Sequence, residues 1–124
     1  MPIAYWCILI AALLPLALVA YAKSSARDNN APRDAADRLT GEKRRAYAAH
    51  QNAYENFPFF AIAVISALAF GEPSNLLDGL AIAYVLLRIV HAALYIRDVA
   101  SARSIAYLLG LVVNVVIFAL PAFQ

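Results

Sequence analysis

Four apolar runs, each about the length a helix needs to cross a bilayer, dominate this chain. Ile3 to Ala22 holds no charged residue, and neither does Ser104 to Phe123. Ala46 to Phe70 is apolar except near its start, where His50 and Glu55 intrude, and Leu76 to Ile96 carries Asp78, Arg88 and His91. The runs are continuous rather than alternating, which selects helices over barrel strands. With 64% of its 124 residues hydrophobic and 15% charged, the chain is too apolar for an ordinary soluble domain. The expected architecture is all-α: one integral membrane four-helix bundle over residues 1–124, with helices near 3–22, 46–70, 76–96 and 104–123.

The first run reads as a span and not as a signal peptide. Ala20-Tyr21-Ala22 looks like a cleavage site, but Met1 and Pro2 bring no basic side chain and the apolar stretch is too long. Pro15 inside it is a break that membranes tolerate. Cys7, the single cysteine, rules out an internal disulfide and reads as a buried thiol. Between the second and third runs, Gly71 can end one helix, and Ser74 or Asn75 can cap the next. The segment 23–45 contains Asp28-Asn29-Asn30, Pro32 and Gly41 and reads as a loop with turns, whose part from Asp37 to Arg45 can extend the second helix into water.

Charge distribution says more than the net charge of +2, which is too small to suggest nucleic acid. Nine of the ten basic residues fall in two loops, 23–45 and 97–103: Lys23, Arg27, Arg33, Arg38, Lys43, Arg44, Arg45, Arg97 and Arg103. The loop between the second and third runs has none. The positive-inside rule therefore expects both basic loops in the cytoplasm and both termini outside. Contact with anionic lipid heads is a further use for these charges.

Polar groups at membrane depth are costly and mark function. At about 100° per residue, Arg45, Asn52, Glu55 and Asn56 share one stripe of the second helix, and His50 points roughly the other way. Tyr84, Arg88, His91 and Tyr95 share a stripe of the third, and Arg103, Tyr107, Gly110 and Asn114 one of the fourth. At a rise of about 1.5 Å per residue, Glu55 and Arg88 both lie roughly 12–13 Å from the cytoplasmic ends of their helices, which suggests a buried ion pair. Asn52 and His91 match at roughly 8–9 Å. The three stripes can line one pocket opening to the cytoplasm, suited to a small anionic ligand because arginine presents forked donors to carboxylates. The plainer reading of Glu55–Arg88 is a helix tie, and that of Asn52, Asn56 and Asn114 is interhelical hydrogen bonding.

The run Arg45-Ala-Tyr-Ala-Ala-His50-Gln-Asn52-Ala-Tyr-Glu55-Asn-Phe-Pro58 resembles the second-helix signature of the MAPEG family, the membrane-associated proteins of eicosanoid and glutathione metabolism. Arg88-Ile-Val-His91-Ala-Ala-Leu-Tyr95, followed by Arg103-Ser104-Ile-Ala-Tyr107, is similar to the prostaglandin E synthase pattern, and microsomal glutathione transferase is another relative of this type. The segment Asp28 to Arg33 is similar to that of small bacterial members, and this resemblance implies a bacterial inner membrane as the location.

The resemblance implies a homotrimer that binds glutathione between neighbouring subunits, with a lipophilic electrophile as the second substrate. It implies that Asn52 and Glu55 hold the peptide part of glutathione, with Lys23, His50, Arg88, His91 and Tyr95 around it. It implies that Arg103 stabilises the thiolate beside Ser104 and Tyr107. Two positions depart from the pattern: Ala48 and Gln51 stand where relatives often carry arginine. The resulting expectation is a glutathione-dependent transferase or peroxidase. The alternatives are a non-catalytic scaffold or ligand-binding protein of the same fold, and a small multidrug-type transporter, which would usually carry an acid in its first helix. No metal site is expected.

Overall fold

The computed structural model describes residues 1–24 and 32–124. The turns expected at Asp28-Asn29-Asn30 lie outside the described residues. Five α-helices follow in order: α1 (Ile3–Ala22), α2 (Pro32–Asp37), α3 (Gly41–Phe70), α4 (Asn75–Ile96) and α5 (Ala100–Ala119), closed by a 3-10 turn at Leu120–Phe123. Four of them, α1, α3, α4 and α5 with its 3-10 extension, are long and apolar enough to cross a membrane. The chain is an integral membrane four-helix bundle.

One detail differs from the sequence reading. The short helix α2 sits in a segment that reads as loop, because six residues carry too little apolar periodicity to announce a helix. As expected of the stretch Asp37 to Arg45, helix α3 starts before the apolar run, at Gly41, and its 30 residues reach about 45 Å, so its first turns project past the apolar zone.

α3 and α4 form the centre of the bundle, packed on each other and on both α1 and α5. Alanines make this possible: Ala4, Ala11, Ala63, Ala67 and Ala81 are buried at the contacts and let backbones approach. Larger side chains fill the remaining space. Phe60 is fully buried and stacks on Tyr84 with ring centroids 4.1 Å apart. Cys7 is buried in the same cluster. Outward positions such as Leu13, Ile62, Leu86, Leu108 and Val112 are apolar and exposed, the surface a helix presents to lipid.

The helix ends are tied by polar side chains, because terminal N–H and C=O groups have no partner inside the helix. Ser74 caps α4 by accepting from the Leu77 N–H at 3.1 Å. Asp78 in the first turn of α4 accepts from the Ala4 N–H at 2.8 Å, so it caps α1 rather than sitting unpaired in the membrane. Arg45 donates through Nε to the Ile96 carbonyl at 2.9 Å and closes the end of α4. At the same basic end, the Tyr21 hydroxyl donates to Glu42 at 2.7 Å, and Lys43 donates to Ser24 Oγ at 2.7 Å and lies over the Tyr21 ring. Gly71 ends α3 in an extended conformation, φ −117°, and not in the left-handed one. Its missing side chain makes room for the Gln124 side chain and the Ala67 carbonyl, which would collide with a Cβ there.

Candidate functional site

The junction between α4 and α5 sets the geometry of the site. The Val99 N–H donates to the Leu94 carbonyl at 2.9 Å and the Asp98 N–H to the Tyr95 carbonyl at 3.2 Å, a Schellman closure with Asp98 in the left-handed region at φ 63°. This tight reversal brings the last turn of α4, carrying His91 and Tyr95, against the first turns of α5, carrying Arg103, Ser104 and Tyr107. The Arg103 guanidinium lies over the Tyr95 ring, 4.3 Å from its centroid. That contact holds a cation on an aromatic face. The His91 ring sits edge-on to Tyr95 at 5.8 Å and tilted to Tyr107 at 6.0 Å.

Asn52 of α3 completes the enclosure. Asn52, His91, Tyr95, Arg103, Ser104 and Tyr107 line one open cavity of about 320 Å³ near the basic end of the bundle. His91 is buried, and its Nδ1 has no hydrogen-bond partner among the described residues. A buried ring nitrogen without a partner at the wall of a polar cavity is a place for a ligand group or water to bind.

The other expected site residues lie elsewhere. Arg88 is buried behind the cavity, where its Nη2 donates to Asn52 Oδ1 at 2.6 Å. The expected Glu55–Arg88 ion pair does not form: Glu55 is on the exposed flank of α3, and no carboxylate lies within 4 Å of the guanidinium among the described residues. Matching depths put the two residues level, but the amide one turn earlier points more directly at α4. Asn56 joins the same group, donating through Nδ2 to the Asn52 carbonyl at 2.8 Å.

His50 faces α1, not the cavity. Its Nδ1 lies 2.7 Å from the Pro15 carbonyl, and since a carbonyl can only accept, Nδ1 is the donor in this contact. Tyr47 and Tyr54 flank the ring. Lys23, at the end of α1, lies 5.6 Å from the Tyr47 centroid on that same side. The ten expected residues thus divide: six line the cavity, Arg88 supports it from behind, and Lys23, His50 and Glu55 lie outside it.

A second, much smaller polar pocket lies deeper, lined by Asn56, Tyr84, Arg88, Tyr107, Gly110 and Asn114. Asn114 is buried with its Oδ1 unpartnered among the described residues. Tyr84 stands on the stripe expected to carry Arg88, His91 and Tyr95, but it does not line the larger cavity. Its stacking on Phe60 places it in the core.

These groups come from three helices: an asparagine from the second span, a histidine and a tyrosine from the third, and an arginine, a serine and a tyrosine from the start of the fourth. A model of the MAPEG family matches residues 3–123. The chain belongs to the MAPEG family. Among curated proteins and among solved structures, no significant match is found. This MAPEG chain therefore shares its fold with a family associated with glutathione, and its own cavity residues have to carry any finer assignment.

Their chemistry fits that thiol peptide. Glutathione brings carboxylates, an ammonium group and a thiol, and the cavity offers a guanidinium, an amide, an imidazole, a serine hydroxyl and two phenols. Arg103 is the one cation among the lining residues, and the unpartnered His91 Nδ1 adds a further polar contact.

Proposed function

We propose that this MAPEG protein is a membrane-bound glutathione-dependent transferase or peroxidase acting on a lipophilic electrophile. The observation that carries this reading is the single cavity in which Asn52, His91, Tyr95, Arg103, Ser104 and Tyr107 meet from three helices. In it, the Arg103 guanidinium stabilises the thiolate, the reactive form of the thiol. Ser104 and Tyr107 donate hydrogen bonds to the sulfur or to the developing charge on the electrophile. Asn52 and His91 hold the peptide. Pre-arranging thiolate and electrophile supplies much of the rate.

The working unit is a homotrimer with the site between neighbouring copies. Glu55 supports this: a carboxylate exposed on one protomer at membrane depth is costly against lipid, and a second copy relieves that cost. In this arrangement Glu55 meets the ligand from across the subunit boundary. The basic end of the bundle is cytoplasmic, both termini lie outside, and the membrane is a bacterial inner membrane. The site residues resemble the pattern of prostaglandin E synthase and of microsomal glutathione transferase.

Ala48 and Gln51 favour a second reading, a non-catalytic ligand-binding protein of the same fold, because two arginines that relatives place near the ligand are replaced. Thermal unfolding of purified protein in nanodiscs separates presence from absence of the ligand site. Millimolar glutathione raises the midpoint of the wild type and leaves Asn52→Ala unchanged. No shift in the wild type overturns both readings of glutathione binding. A shift without turnover of any electrophilic test substrate favours the second.

A further inference from the structure

The small deep pocket between α4 and α5 has two buried polar groups of opposite need in its wall. Asn114 of α5 is 3% exposed, and its Oδ1, an acceptor, has no hydrogen-bond partner among the described residues. Arg88 of α4 is 5% exposed and carries five N–H donors, of which Asn52 Oδ1 accepts one. No carboxylate lies within 4 Å of that guanidinium among the described residues. Both side chains line the pocket, together with Asn56, Tyr84, Tyr107 and Gly110. A buried acceptor without a donor is costly, and so is a buried cation short of acceptors at membrane depth.

We propose that this pocket binds a single water molecule, which donates to Asn114 Oδ1, accepts from Arg88 and so ties α5 to α4. Size and chemistry select the ligand together. The pocket has a free volume of about 10 Å³, room for one water and for nothing larger. An anion would accept from Arg88 but has no proton to give Asn114 Oδ1. A metal ion or ammonium would suit Oδ1 but is repelled by the guanidinium. Water donates and accepts at once, and Tyr84 and Tyr107 in the same wall supply the further partners that buried waters usually have. Gly110 keeps the space open. A Cβ there would take up part of it while meeting only the Tyr84 ring, at 3.8 Å, an ordinary van der Waals contact. Tyr107 lines this pocket and the larger cavity alike, so the water lies behind the cavity wall. The bridge fixes the spacing of the two helices that carry His91, Tyr95, Arg103 and Ser104. This inference concerns the frame of the cavity and does not depend on the glutathione reading.

High-resolution diffraction from the full-length protein, crystallised in a lipidic mesophase, tests the proposal. One peak of water density is expected within about 3.2 Å of both Asn114 Oδ1 and a guanidinium nitrogen of Arg88. Crystals grown in bromide in place of chloride give no anomalous signal at that point. Gly110→Ala removes the peak. It also lowers the unfolding midpoint, although alanine in place of glycine inside a helix would by itself raise it and the added methyl meets no clash. The wild-type density decides the matter even where Gly110→Ala does not fold. No peak in the pocket at a resolution that shows waters elsewhere, a bromide signal between Arg88 and Asn114, or a Gly110→Ala protein that keeps the water or is more stable than the wild type would each overturn the proposal.

Discussion

The Arg88 guanidinium donates a 2.6 Å hydrogen bond to Oδ1 of Asn52, a residue that also lines the open polar cavity. Asn52 is shared between structure and site. It accepts from the buried Arg88 and lines the cavity with His91, Tyr95, Arg103, Ser104 and Tyr107.

Removing that acceptor strands a buried charge. Asn52→Ala is expected to cost about 1.5–3 kcal/mol of stability, the range for losing a hydrogen bond to a charged group. Asn52→Asp keeps an acceptor within reach and supplies a counter-ion, so it retains wild-type stability or exceeds it. Unfolding in mixed micelles by added denaturing detergent checks both. A neutral Asn52→Ala would show that Arg88 finds another partner easily.

Asp78 caps the start of α1 across the bundle, through the Ala4 N–H. Asp78→Ala is expected to lose about 0.5–2 kcal/mol, the usual range for a removed helix cap, and Asp78→Asn most of that less. Hydrogen exchange at the first turn of α1 reads the effect locally, where protection falls in Asp78→Ala alone.

Asp98 occupies the left-handed region at φ 63° in the turn that places Arg103 over Tyr95. Glycine removes the Cβ penalty there but adds freedom to the unfolded chain, so Asp98→Gly gains only about 0.5 kcal/mol. Asp98→Ala loses about 1 kcal/mol, because alanine tolerates this region less well than aspartate. Unfolding midpoints in the order glycine, aspartate, alanine are the expected outcome.

The spans were legible because length and unbroken hydrophobicity are one-dimensional signals. Which polar residues meet was only half legible. Helical periodicity correctly grouped Tyr95 with His91 and Tyr107 with Arg103, since each pair lies on one face of one helix. It could not choose between Asn52 and Glu55 as the partner of Arg88. Both lie on the same stripe within one turn, and the rotation of α3 against α4 decides between them. The role of Asp78 was hidden for a related reason: its partner is a backbone N–H of another helix, and backbone groups leave no trace in a residue pattern. α2 was missed because six residues do not establish a period.

Glu55 separates a subunit boundary from a lipid surface. At a boundary lined by ligand, Glu55→Gln weakens glutathione binding by about tenfold, and Glu55→Leu weakens both binding and oligomer stability. Facing lipid, Glu55→Leu would instead stabilise the protein and leave its mass in detergent unchanged. Light scattering with subtraction of the detergent mass, alongside calorimetric binding, gives both numbers from one preparation.

In the proposed function, Arg103 holds a bound thiol as its thiolate in the cavity it shares with Asn52, His91 and Tyr95. Ultraviolet difference absorbance of glutathione added to the protein in nanodiscs at neutral pH measures this directly. A thiolate signal that saturates with ligand in the wild type, and is absent in Arg103→Ala, is the predicted result. A wild type that binds glutathione without any thiolate signal, or an Arg103→Ala variant that keeps the full signal, would contradict it.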